Sequence, residues 1–492
     1  MTSTSPWSWP LWWRIVILLN VGFYNMLGNV FAAGVPPLFA LIMQEFRISQ
    51  DEASQLSTYA LLTLGISNIL ALPAASLIGK RYTILVSLVF FLVTCIWSAE
   101  APTFASLRTA RILGGLAGGL IEALGPSIVF ETFPEHQLAR AMVVYVGLLA
   151  AGSSIGPIIA GALAEGLGDW RWFLRILAIF IALNLVTSLI MLPETTHEAP
   201  GPRIESIEAS GDTSSAKPSV YDVEVARKTE GSPDITLTEQ TTHRPSLKQQ
   251  WLVRSFSARY VEMDWKLAAR SFYEPYQLII LPQILVTTLV FGLTIGWTVL
   301  ISIITPMQYS PPPLLWGALP VGLMSIGPLA GLLIGLPVGG ALADYLFNHA
   351  ARRSGGMQNP RTRLPATIVG AMISPAGCLV VGFGLRNPSN WPPVAIGWAM
   401  LALGLTSSAN VLLTYSVDTI PTRASHIGTL VNLTKNCLAF GVSYTSVSWI
   451  QAMGPVGQFG TMAGLLWFAY LLVIPVWFYS DTLIRKSGQL FG

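Results

Sequence analysis

Runs of apolar residues, each closed by a short polar turn, recur twelve times along this chain, over 14–36, 57–78, 82–99, 108–130, 140–165, 172–192, 278–304, 318–342, 365–386, 393–416, 426–451 and 458–480. A helix rising about 1.5 Å per residue needs about 20 such residues to cross the hydrocarbon core of a bilayer. The pattern therefore predicts twelve spanning helices and an all-α, multi-pass membrane protein. At the entry to the first run Trp7, Trp9, Trp12 and Trp13 surround Arg14, and the apolar stretch that follows does not stop short. This reads as an aromatic belt opening a span rather than a cleavable signal.

Between the sixth and seventh runs the pattern ceases. Residues 193–274 hold 23 of the chain's charged side chains, which number 28 basic and 25 acidic in all, with Pro, Ser and Thr throughout. Such a stretch cannot bury enough apolar surface to offset its ordering entropy, so 197–245 is expected to be disordered. From Trp251 to Tyr273 aromatics alternate with Arg254, Arg259, Lys266 and Arg270, which predicts an amphipathic helix on the inner membrane surface. The expected organisation is a six-helix half over 1–192, a cytoplasmic linker over 193–274 and a second six-helix half over 275–492.

Composition fixes the solvent. The chain is 52% hydrophobic and 11% charged, with a mean hydropathy of +0.57, whereas soluble domains are roughly 25% charged. A net charge of +3 is too small to argue for nucleic acid. Cys95, Cys378 and Cys437 sit in apolar runs at unrelated spacings, so no disulfide framework, metal site or cofactor is expected. Five scattered histidines form no acid–base cluster with carboxylates, which argues against an enzyme. Basic residues in the connections favour one face: Lys80, Arg81, Arg140, Arg352, Arg353, Arg361, Arg363, Arg423, Arg485 and Lys486, against Arg47, Arg171 and Arg386 on the other. The positive-inside rule then places both termini in the cytoplasm.

The halves echo one another. The fourth run ends in Glu131-Thr132-Phe133-Pro134 and the tenth in Asp418-Thr419-Ile420-Pro421, as in transporters built from parallel six-helix repeats. The fifth run carries Gly152, Gly156, Pro157 and Gly161; the eighth carries Gly327, Pro328, Gly331 and Gly335. Small residues four apart allow close helix contact in lipid, and proline bends the helix. These faces are expected to form a rocking interface, the alternative being close packing without motion.

On these residues the chain resembles the major facilitator superfamily, and within it the fungal drug:proton antiporter branch with twelve helices. Gly152 to Gly161 is similar to that branch's antiporter motif, and Leu107 to Gly115 to its arginine motif, with Arg111 in the key position. Trp170-Arg171-Trp172 and Leu192-Pro193-Glu194-Thr195 flank the sixth helix as they do there. Gly339 to Asp344 followed by Arg352 and Arg353 resembles the second copy of the cytoplasmic gate motif. The first copy departs from the family, because Ser76 stands where the aspartate belongs, although Lys80 and Arg81 remain. The resemblance implies the major facilitator fold, gating by these charges and proton coupling through Arg111 and a fourth-helix glutamate.

Ionisable groups in mid-span are costly and mark function. Glu122 lies in the fourth run on nearly the same helical face as Arg111, about 16 Å away, so the two are expected to line one polar wall. A carboxylate there could exchange a proton or bind a cationic solute, the alternative being a structural glutamate. Arg111 could instead be an internal hydrogen-bond hub. Lys435, beside Asn432 and Asn436, is a candidate for proton or substrate coupling, the alternative being to pair with a carboxylate such as Asp418 or to snorkel towards an interface. Asp344 and Asp418 are expected to pair with Arg352, Arg353 or Arg423 as gates. Tyr24, Trp297, Tyr415 and Tyr444 are expected to pack, with cavity lining as the alternative. The leading expectation is a monomeric carrier in the lipid bilayer, at the plasma membrane, exporting a small organic molecule in exchange for protons. A proton-driven importer of a nutrient or polyamine-like solute, and a membrane sensor that no longer transports, are the rivals.

Overall fold

A computed structural model describes residues 9–195, 265–353, 360–387, 389–420 and 423–491. The expected disorder over 197–245, and the part of the amphipathic segment before Trp265, lie outside the described residues. Among the described residues there is no strand. The first part of the chain forms α1 (Leu11–Ala33), α2 (Phe39–Phe46), α3 (Gln50–Ile78), α4 (Lys80–Ala99), α5 (Phe104–Thr132), α6 (Glu135–Leu167) and α7 (Arg171–Met191). After α8 (Trp265–Gln277) come α9 (Pro282–Tyr309), α10 (Ala318–Leu323), α11 (Ile326–Arg353), α12 (Ile368–Leu385), α13 (Pro392–Gly404), α14 (Asn410–Thr419), α15 (Ala424–Tyr444), α16 (Ser446–Leu471), α17 (Val473–Phe478) and α18 (Ser480–Phe491).

Eleven segments among the described residues are long and apolar enough to cross a membrane. The remaining expected span, the eleventh in order, is α15, which has the length, at 21 residues, but carries Asn432, Lys435 and Asn436. The run expected over 426–451 breaks at Thr445, where α15 gives way to α16. Inside α16, Gly454 takes φ 68° ahead of Pro455 and turns the chain. The tenth span is α13 and α14, joined by one π-helical turn over Leu405–Ala409. Polar signals set several ends. Ser49 caps α3 and Glu52 closes the reciprocal bond, carrying this helix seven residues beyond its apolar run. Gly79, at φ 85°, makes the sharp turn between α3 and α4 that other residues resist.

Most buried apolar residues of α1 to α7 form one large core, which Ile303 of α9 joins, and most of those of α9 to α17 form others. Trp9 and Trp13 stack at 4.7 Å and belong to the first core, whereas Trp12 is exposed. Arg14 donates to Gln137 at 3.2 Å. The two halves meet along two seams. In one, α3 packs on α15: Gly65 lies against Asn436 and the rings of Tyr59 and Phe440 approach to 5.9 Å. In the other, α6 packs on α10 and α11, with Gly161 against Ala318 and Pro157 against Gly322. At one end of the bundle lie Lys80, Arg81, Arg363 and Arg423, here the basic end. At the opposite end a cleft of about 370 Å³ opens between α2 and the end of α9.

Candidate functional site

The central feature is an ion pair across the first seam. Glu122 on α5 and Lys435 on α15 meet at 3.2 Å, with 1% and 4% of their side chains exposed. Asn436 donates to the second carboxylate oxygen at 3.0 Å and Asn68, on α3, at 3.3 Å. Asn432 donates to the Glu122 backbone carbonyl at 3.0 Å. Burying a carboxylate is tolerable only when it is paired and hydrogen-bonded, and this one is held from both halves. Helical spacing explains the arrangement: Asn432, Lys435 and Asn436 fall at i, i+3 and i+4, so one stripe of α15 presents all three groups to α5. Lys435 thus pairs with a carboxylate, that of Glu122 rather than Asp418, and does not reach towards an interface. Asn68 was not expected in the site; its signal in the sequence is a carboxamide inside an apolar run.

Arg111 lies elsewhere. Its guanidinium donates to the carbonyls of Phe31 at 2.5 Å, Ala32 at 3.3 Å and Leu56 at 3.2 Å, and stacks 4.1 Å from the Phe31 ring centre. It faces α1 and α3 within the first half, while Glu122 faces α15. The expected common wall is therefore replaced by two separate sites, and Arg111 is a hydrogen-bond hub. Gly114, where a Cβ would press on the Phe31 ring at 2.5 Å, gives that ring its room.

The basic end carries two matching clasps. In the first half Lys80 pairs with Glu131 and donates to Ser127 at 2.7 Å. In the second, Arg363 lies 3.5 Å from Asp418. Each joins the connection after the second or eighth span to the acidic residue of the repeated tetrapeptide. Asp418 therefore pairs with Arg363 and not with Arg423, which pairs with Glu274 at 2.5 Å. Arg81 donates to the carbonyls of Leu192 and, at 2.9 Å, Leu189. Glu194 accepts from the backbone amides of Lys80 and Arg81 at 3.3 and 3.0 Å, capping α4 with a negative charge at its positive end. At the departure from the family motif, the Ser76 hydroxyl bonds back to the Pro73 carbonyl at 2.8 Å. Asp344, Arg352 and Arg353 lie on α11, and their side chains lie outside the described residues.

The small-residue motif serves two contacts. A Cβ on Gly152 would meet the Met26 carbonyl at 2.5 Å, and one on Gly156 would meet Val30 at 3.1 Å, both on α1 within the first half. Pro157 and Gly161 instead face α10 across the second seam. The glycines of the eighth span pack inside their own half, Gly327 on Ala395 and Gly331 on Ala399 of α13. Tyr24, Trp297 and Tyr415 are buried core residues, and Tyr444 is exposed. Among the described residues no group of three or more His, Cys, Asp or Glu side chains could hold a metal ion.

Two helical halves meeting along seams, with an ion pair buried between them, follow the plan of secondary transporters built from parallel six-helix repeats. The chain belongs to the Major Facilitator Superfamily, whose family model matches residues 18–444. It is 23% identical over 422 residues to the probable efflux pump mfs2 of Aspergillus flavus, covering 85% of this chain and 90% of that one. With the MFS antiporter QDR3 of Candida albicans the identity is 21% over 97% of this chain and 78% of the other. With protein HOL1 of Saccharomyces cerevisiae it is 19% over 97% and 88%.

Proposed function

We propose that this protein is a proton-coupled antiporter that exports a small organic solute, with Glu122 as its exchangeable proton site. The observation that carries the reading is the buried Glu122–Lys435 pair between the halves. While the carboxylate is ionised, it holds Lys435 and the two carboxamides, and the seam stays closed. A proton on Glu122 removes the charge that compensates Lys435 in a dry environment. The ammonium then gains by reaching water, which requires the halves to part. Protonation thereby biases the equilibrium between closed and open seams, and proton binding is linked to solute access. The relatives named as an efflux pump and an antiporter favour export. The concentration of basic residues at one end favours cytoplasmic termini; a monomer working in the lipid of the plasma membrane is part of the same proposal.

The test is Glu122→Gln in reconstituted vesicles with a trapped pH dye, screened against a panel of organic solutes. Transport driven by a pH gradient is expected to vanish while solute exchange without a gradient persists. Full gradient-driven transport by this variant would move the proton site to Asp418 or Glu131.

A further inference from the structure

One helix touches both halves at the basic end and belongs to neither bundle. α8 packs on α3 of the first half and on α15 of the second. Phe272, Pro275 and Tyr276 on α8 close a small space with Ile69 of α3 and with Thr429, Leu430 and Leu433 of α15. They lie directly over the seam that holds the central ion pair. Next to this apolar contact, Glu274 has 11% of its side chain exposed and is clasped from two elements. Arg423, which opens α15, donates to it at 2.5 Å; Arg270 donates from one turn earlier on α8; and Nδ1 of His426 on α15 lies 3.5 Å away. Burial alone would lift the Glu274 carboxyl, but the hydrogen bonds from Arg423 and Arg270 outweigh it and hold it below the ordinary carboxylate range. α8 is not wholly covered by the two halves: Trp265 and Tyr273 are exposed and Phe272 is partly so, which suits the interfacial layer of a bilayer.

We infer that α8 is a latch: it lies across the seam between α3 and α15, is fastened to the second half through Glu274 and Arg423, and must leave α3 before the basic end can open. The physical reason is geometric. If that end parts, Ile69 moves away from Leu430 and Leu433, and a helix wedged over all three can follow only one side. α8 is joined to α9 by the four residues 278–281 and is tied to Arg423, so it travels with the second half and the contact to break is with α3. Its apolar grip there adds to the stability of the closed state without any part in binding solute or proton. The inference depends on the two halves alternating access and not on Glu122 as the proton site.

The test reads both ends of the molecule in nanodiscs at fixed pH, with Cys95, Cys378 and Cys437 replaced by Ala. A single reporter, either Leu433→Cys beneath α8 or Met307→Cys in the cleft at the opposite end, is labelled with a water-soluble maleimide. Glu274→Gln, and independently Arg423→Gln from the other side of the bond, should raise labelling at Leu433→Cys at least about fivefold, the effect of losing about 1 kcal/mol of closed-state stability. The same substitutions should lower labelling at Met307→Cys, because opening one end shuts the other. Faster labelling at Leu433→Cys with Met307→Cys unchanged, or faster at both, would mean local fraying of α8 or general loosening and would overturn the latch. No change at either reporter would overturn it as well. Because no proton gradient is imposed, failure of the Glu122 reading would leave these outcomes unaffected.

Discussion

Replacing Lys435 with Met would leave the Glu122 carboxylate in a dry seam with two carboxamide donors and no cation. Breaking a buried ion pair from one side costs about 3–5 kcal/mol, whereas removing both charges can be nearly neutral. Lys435→Met should therefore lower the thermal midpoint in detergent clearly, and adding Glu122→Gln should recover most of the loss. If the two substitutions lower the midpoint additively, the pair does not couple the halves. This single contact also shows what residues reveal alone. A charge in the middle of an apolar run is conspicuous, so both Glu122 and Lys435 could be picked out. Their partnership could not, because they are 313 residues apart and no local periodicity relates them. Arg111 illustrates the converse. Its position on the same helical stripe as Glu122 was legible, but which carbonyls of α1 and α3 surround it depends on packing between helices.

At the level of whole helices, hydrophobic runs identified nearly every element, because crossing a bilayer imposes length and apolarity together. The misplaced ends are where another rule acts: the capping box that extends α3, and the break at Thr445, where Ser443, Ser446 and Ser448 interrupt the apolar run. The roles of the small faces were less legible, since glycine spacing says that something comes close but not what. The structure separates the motif into an inner face on α1 and an outer face on α10. Gly161→Leu should therefore abolish transport while leaving the purified protein as stable as the parent, since it obstructs only the seam between halves. Gly156→Leu, pressing on Val30 and Gly34 inside the first half, should instead lower stability and yield. Thermal unfolding and vesicle transport, measured on both variants, would separate these effects; equal behaviour would show that the two faces are not distinct.

Considered as one object, the chain has two helical halves that touch along two seams, and charge crosses between them at mid-depth only once among the described residues. The helix that supplies the ammonium to this crossing is the one expected span missing from the eleven segments long and apolar enough to cross a membrane. That has a consequence for how the protein is made. A lysine at the centre of a helix opposes entry into the bilayer by about 2.5–3.5 kcal/mol, and Asn432 and Asn436 add to the burden. Cut out and placed in a host protein carrying glycosylation tags, residues 424–444 should fail to insert, and Lys435→Leu should let them do so. In the full chain, Glu122→Leu should reduce insertion of the same segment, because the receiving carboxylate is gone; unchanged tagging would show that α15 enters without it. Biosynthesis would then hold this segment at the protein-conducting channel until it meets a partner translated 313 residues earlier.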